Sequence, residues 1–480
     1  MSNNVLAAVF RPEHRLKVVF GIFSFICICY LLTPSGSLRS SFTELQIVPG
    51  ATWTATGTNA HIQAHGPGII KIQSTYYLIG EDKTGDMQKG HFKHVNCYSS
   101  TNLVDWKFEN HLLSRDDSIP ELGPNRIVER PKVLYNEETK TYVMIMHIDN
   151  EVYQSAQIGF ANSSAVCGKY TWQGSTRPLQ HESRDIGVFQ DDDGSAYLMS
   201  EDRPNGLHIF KLTTDYMAVA QVMYSFPQNI ESPAMFKRDG IYYLFGSHIT
   251  GWNHNDNVYT TATSLMGPWA PWKEFAPHGS NTFESQTSFV LPVGKDLVIY
   301  GGDRWVPKNL HSSTYVWLPL QIKGTIVKMN SDAPWTIDGP RGVWHSAPAP
   351  VWLEAESARL QNGAKVVPCP ACSGGQAVGH INGDEHGSIQ LDGIRFATSG
   401  RKTFRLQYVF KGIDERQAEV ILYVNGNGDT RKKIVSFLPI SVQPGIAVVD
   451  FEVPSGLHSL SIRGVDGKPG PDLDRISIPK

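Results

Sequence analysis

The chain has 480 residues, with 43 Lys and Arg against 46 Asp and Glu, and only 19% of its residues are charged. At about 150 residues per domain, that length allows two to four domains with sizeable cores. The near-neutral balance leaves no polybasic face to attract nucleic acid, and a hydrophobic fraction of 41% excludes disorder as the dominant state. The 43 Gly and 29 Pro imply many turns, while 11 Trp, 18 Tyr and 21 Phe supply flat apolar faces suited to stacking on sugar rings.

From Val18 to Leu32 runs an uncharged stretch, VVFGIFSFICICYLL, preceded by Arg11, His14, Arg15 and Lys17. It reads as a targeting segment over residues 1–40, either a signal peptide or a type II signal anchor, and it is the one part expected to meet a membrane. The remainder is then expected to be lumenal or extracellular, secreted or membrane-anchored. An oxidising compartment makes Cys97–Cys167 and Cys369–Cys372 candidate disulfides, and no second ligand pair follows to make the latter a zinc site. The sequon Asn162-Ser163-Ser164 agrees with a secretory route.

A repeated pattern begins near residue 65. Five β-forming runs end in polar or acidic residues: Thr75-YYLIGED, Thr141-YVMIMHID, Ser195-AYLMSED, Gly240-IYYLFGSH and Asp296-LVIYGGDRW. A shorter apolar run with a polar or small head precedes each, starting at His65, Glu129, Asp185, Glu231 and Gln286. Turn signals such as Asp191-Asp-Asp-Gly and Lys237-Arg-Asp-Gly separate the two runs, and a third strand follows each pair. The last four heads are 56, 46 and 55 residues apart, which suits about four short strands per unit. The spacing predicts an all-β chain with a five-bladed β-propeller over residues 45–330; a large β-sandwich is the competing architecture.

First strands of propeller blades line a central channel, so their heads converge on one funnel. Glu129-Arg-Pro and Glu231-Ser-Pro place two carboxylates there, and two carboxyl groups flanking a bond are what glycoside hydrolysis requires. Ordinary exposed strand-end glutamates are the alternative.

Glu129-Arg-Pro-Lys, Ser183-Arg-Asp-Ile-Gly, Glu231-Ser-Pro-Ala, Ser247-His-Ile-Thr-Gly-Trp-Asn, Ser285-Gln-Thr-Ser and Gly302-Asp-Arg-Trp together resemble glycoside hydrolase family 43, and most of all its exo-β-1,3-galactanase branch. The resemblance implies inverting hydrolysis with Glu231 as general acid and Glu129 tuning its pKa and orienting it. Gly66 stands where the wider family carries its base Asp, and the resemblance assigns water positioning to Gln286 instead. It also implies Tyr153, Asp185 and Thr250 as sugar contacts, with Trp252 or Trp305 stacking on the ring. An inverting pair would stand about 6.5–9.5 Å apart. No cofactor is expected for catalysis.

A Pro-rich stretch within residues 331–350 predicts a linker. Residues 351–480 alternate in period-2 runs such as Thr403-FRLQYVF and Ala418-EVILYVN, which predicts a β-sandwich of jelly-roll type. Its opening Leu353-Glu-Ala-Glu and closing Pro471-Asp-Leu-Asp resemble a carbohydrate-binding module of the family 35 and 6 type. That likeness implies a structural Ca²⁺ on Glu354, Glu356 and Asp474, with Asp472 less central, and hard oxygen ligands suit that ion. The expected substrate is a polysaccharide of β-1,3-galactan or arabinogalactan type. An arabinofuranosidase or xylosidase of the same family, or a catalytically silent glycan-binding propeller, are the rival readings.

Overall fold

The computed structural model describes residues 45–479 apart from 85–89, 339–340, 383–386, 425–427 and residue 466. The apolar stretch Val18–Leu32 lies outside the described residues. Among those described, no helix is long and apolar enough to cross a membrane.

The structure is all-β. Five four-stranded antiparallel sheets follow one another in chain order, opening with strands His65–Ile72, Arg126–Asn136, Ile186–Gln190, Glu231–Arg238 and Gln286–Val293. These opening strands neighbour one another in sequence, and the fifth returns to the first, so they close a ring. Each second strand carries one of the apolar runs read from the sequence: Thr75–Glu81, Thr141–Asn150, Ala196–Asp202, Ile241–Ser247 and Leu297–Arg304. Ala196–Asp202 is buried throughout, as expected of a strand covered on both faces.

The ring has a local device that the proline pattern foreshadows. Gly66, Arg130 and Ser232 have φ of 53°, 51° and 58°, and each is followed by proline. The strand register slips at the same places, between His65 and Gly68, Glu129 and Lys132, and Glu231 and Ala234. Proline has no N–H for the ladder, so the strand bulges there and the head residue is turned away from the regular pleat. Left-handed backbone at Arg130 and Ser232 is a local strain held by the packed sheets around it.

The C-terminal part comprises two further antiparallel sheets with their own buried cluster, including Phe404, Tyr408, Phe437, Leu422 and Ile476. Its first strand, Val351–Glu354, pairs with its last, Asp472–Ile478. The predicted linker holds regular structure: Trp335–Asp338 and Val343–Ser346 form a hairpin whose first strand pairs with Leu45–Ile47. Trp335, 1% exposed, explains the difference, because its ring fills the core and its indole N–H donates to the Trp317 carbonyl at 2.8 Å.

Residues 46–61 are clamped between the two parts. Thr52 N–H donates to the Ile446 carbonyl at 2.7 Å, Ser436 N–H to Thr54 Oγ1 at 2.9 Å, and Arg405 to Gln46 Oε1 at 2.8 Å. Arg401 binds both Asp105 and Asp450. Both sequence-expected disulfides are present, Cys97–Cys167 and Cys369–Cys372, and the first joins the first sheet to the second.

Candidate active site

At one end of the ring, strand heads and loops enclose a cavity of about 320 Å³ lined by Glu129, Tyr153, Asp185, Glu231, Trp252, Gln286 and Trp305. Seven of the eight residues singled out from the sequence for catalysis or sugar contact therefore share one pocket. Thr250 does not line it: this exposed residue donates its hydroxyl to the Asn253 carbonyl at 2.5 Å and accepts from Asn255 at 2.8 Å, which closes its own loop.

Glu231 is 6% exposed, and its carboxyl is pushed up to about 9 by burial and then by the charges of Asp185 and Glu201. It is protonated at neutral pH. Glu129 is equally buried, yet its carboxyl is held below the ordinary value because Lys83 and His147 outweigh the burial. Lys83 Nζ lies 3.7 Å from Glu129 Oε1, His147 Nδ1 lies 3.3 Å from Oε2, and Tyr153 donates its hydroxyl to Oε1 at 2.9 Å. The pocket thus holds one buried acid in its neutral form and another as a carboxylate. The largest carboxylate influences on Glu231 are Asp185 and Glu201, whereas the sequence reading gave the tuning to Glu129.

Gln286 sits among four partners. Its Oε1 accepts from Arg130 at 2.6 Å and from the Trp305 indole at 2.9 Å, both donor-only groups, which fixes the amide orientation. Its Nε2 then donates to Glu231 Oε1 at 2.9 Å and to Ser247 Oγ at 3.1 Å. This direct bond to the acid departs from the separation expected of an inverting pair. With the side chains in contact, no space for a sugar and a water lies between these two atoms.

Asp185 is held by Arg130 Nε at 2.7 Å and by the Ser232 hydroxyl at 2.8 Å, and Arg130 keeps its carboxyl low despite burial. Trp305 is 3% exposed with its indole committed to Gln286, so the half-buried Trp252 offers the more accessible ring. The two rings meet edge to face at 4.8 Å.

Several pocket residues were not singled out from the sequence: Glu81, Arg130, His147, Arg184, Glu201 and Arg203. A signal for some of them was present. Across the ladder His65 faces Glu81, Glu129 faces His147, Glu231 faces Ser247 and Gln286 faces Asp303. The polar end of the second run is therefore the ladder partner of the head in four of the five sheets. Glu81 also answers the missing aspartate: a Cβ on Gly66 would lie 2.4 Å from Glu81 Oε1, so the glutamate occupies that space.

In the C-terminal part, Glu354, Glu356 and Asp474 come together where the first and last strands pair. Each has a buried oxygen without a hydrogen-bond partner, namely Glu354 Oε2, Glu356 Oε2 and Asp474 Oδ2. Ser373 supplies its N–H to Asp474 at 2.9 Å and its hydroxyl to Glu354 at 2.9 Å. Burial raises the Asp474 carboxyl, and its glutamate neighbours raise it further. Three orphaned carboxylate oxygens fit a hard divalent cation. Asp472 is set apart, with Arg416 and His380 as its charged neighbours.

An all-β ring with a neutral buried acid, an ionised carboxylate and an aromatic wall defines a glycoside hydrolase site. The chain belongs to glycosyl hydrolase family 43, whose model matches residues 61–306. It is similar to an exo-β-1,3-galactanase of Phanerochaete chrysosporium solved with galactose: 33% identity, 90% of this chain, 99% of that one, and a TM-score of 0.63. An exo-β-1,3-galactanase of Clostridium thermocellum matches at 31% identity over 73% of each chain, with a TM-score of 0.59. A curated β-D-galactofuranosidase of Aspergillus niger is 31% identical over 136 residues, and the chain spans only 38% of that relative's length.

Proposed function

We propose that this protein is an inverting exo-β-1,3-galactanase that releases galactose from β-1,3-galactan, acting through a five-bladed propeller formed by the five sheets. The observation that carries the reading is the pairing of a neutral Glu231 with an ionised Glu129 in one aromatic-walled cavity. Glu231 donates its proton to the leaving oxygen as the glycosidic bond breaks. Substrate entering the pocket separates Glu231 from Gln286, and the released amide, held by Arg130 and Trp305, positions the attacking water, whose proton passes through a second water to the ionised Asp185. Asp185 and Tyr153 offer hydrogen bonds to the sugar hydroxyls, and Trp252 offers its face.

In the sandwich, read as a carbohydrate-binding module, Glu354, Glu356 and Asp474 would hold a structural Ca²⁺ that screens their mutual repulsion. The two disulfides support a lumenal or extracellular site of action.

Incubation with β-1,3-galactan, followed by NMR of the first product, tests the function. Galactose released with inverted anomeric configuration is the expected result. Release only from arabinofuranosides, xylosides or galactofuranosides would assign the sibling specificities. Glycan binding with no release, and unchanged binding by Glu231→Gln, would make the protein a silent binder.

A further inference from the structure

Outside the catalytic constellation, the third sheet gathers a second polar cluster. Its hairpin pairs Ser200 with His208 and Asp202 with Gly206, so the pleat puts Asp202 and His208 on one face. His181 reaches the same point from the segment after the turn Pro178–Gln180, which Ser183 anchors by a 2.9 Å bond to the Ala156 carbonyl and a 2.8 Å bond from Ser200. His181 Nδ1 lies 2.7 Å and His208 Nε2 3.2 Å from the same oxygen, Asp202 Oδ2. The two imidazoles are 4.3 Å apart between ring centroids.

Three facts point beyond a hydrogen-bonded knot. The Asp202 side chain is fully buried, and its second oxygen, Oδ1, has no hydrogen-bond partner. His208 Nδ1 is engaged by Ser225 Oγ at 2.7 Å, which orients the ring with Nε2 toward Asp202 in the manner of the outer partner of a metal-binding histidine. His181 keeps 29% of its side chain exposed, which provides a route from solvent. Ligand atoms of all three residues lie within 4.8 Å of one another.

We propose that His181, Asp202 and His208 form a binding site for a divalent transition metal of the zinc class. Two imidazoles and one carboxylate are a borderline donor set, suited to Zn²⁺ or Co²⁺ and poor for Ca²⁺, which takes six or more oxygens. The other histidine clusters are less suited. Glu129, His147 and Asp185 are engaged by Lys83, Tyr153 and Arg130, and His278 of the third is 85% exposed. Metal at this site would tie the segment bearing Arg184 and Asp185 to the hairpin bearing Glu201 and Arg203, and all four line the catalytic pocket.

The test is calorimetric titration of the full chain with Zn²⁺, after chelation and return of calcium, alongside Co²⁺ absorption spectra. One tight equivalent is expected, with a Co²⁺ spectrum of histidine-ligated, low-coordinate type. His181→Asn and His208→Asn should each weaken the tight step by at least about tenfold, while His278→Asn leaves it intact. Absence of a tight step, or its retention at full strength in His181→Asn, overturns the site. Because His181 is partly exposed, its variant decides the matter even if the buried His208 variant fails to fold. The outcome is independent of which glycan the enzyme cleaves.

Discussion

The catalytic pocket and the carboxylate cluster of the sandwich both collect acids at strand ends, yet they treat them oppositely. In the pocket, the acids are interleaved with Lys83, Arg130, Arg184, Arg203 and His147, so Glu129 and Asp185 are held below the ordinary carboxylate value while burial pushes Glu231 up to about 9 and raises Glu81 and Glu201 as well. In the sandwich, Glu354 and Glu356 act on Asp474 by charge, and each of the three has an unpartnered oxygen. The first arrangement sorts protons among carboxyl groups; the second concentrates negative charge. Acid content alone does not distinguish them, whereas the placement of basic neighbours does.

The largest break in that contrast is expected from Glu231→Gln, which removes the neutral acid. Turnover on β-1,3-galactan should fall by about 10²–10⁴-fold, measured as galactose release. Because the folded pKa of Glu231 is raised, the folded state holds a proton that the unfolded chain gives up above about pH 4.5. The wild type therefore loses stability as pH rises from there to about 9, and Glu231→Gln should melt higher than wild type at pH 8. Gln286→Ala comes next, with a loss of about 10²-fold in kcat, since Arg130 and Trp305 then have no amide to orient.

A finer test concerns what keeps Glu231 neutral. The alkaline limb of the rate profile should move to lower pH in Glu201→Gln, because that carboxylate is among the largest charges opposing ionisation of Glu231. Glu129→Gln should move the limb less and depress kcat more. In the sandwich, Asp474→Asn should likewise raise the melting temperature of chelated protein by relieving repulsion, and should abolish the stabilisation expected from added calcium at the proposed site. The smallest effect is expected from Thr250→Ala, under about tenfold in kcat/KM, because its hydroxyl is spent within its own loop.

The repeat was readable because each sheet buries its second strand, which forces a continuous apolar run at regular spacing. Heads and prolines were equally visible, so Glu129, Glu231 and Gln286 could be placed at equivalent positions. The pairing of heads with the ends of second strands was less apparent, and Glu81, His147 and Glu201 were passed over for that reason. Arg130 and Arg184 were hidden differently: each follows or precedes a recognised acid, and only the left-handed turn at Arg130 or the fold of a loop decides that the guanidinium points inward. The hairpin within residues 331–350 was masked by flanking prolines and glycines, which look like linker even where a tryptophan anchors the core.

The clamped segment at residues 46–61 bears on how the chain reaches its fold. It is synthesised long before Arg405, Ser436 and Ile446, with which it bonds across nearly 400 positions of sequence. During translation the ring can pair its sheets one after another, but this strap has to wait for partners that emerge near the end. Ile446 and Val448 also pack against the buried cluster formed by the first, fourth and fifth sheets. A ring released by cutting at residues 347–350 would thus expose a surface that the native chain never shows to water, and its aggregation would report on a severed core rather than on a lost appendage.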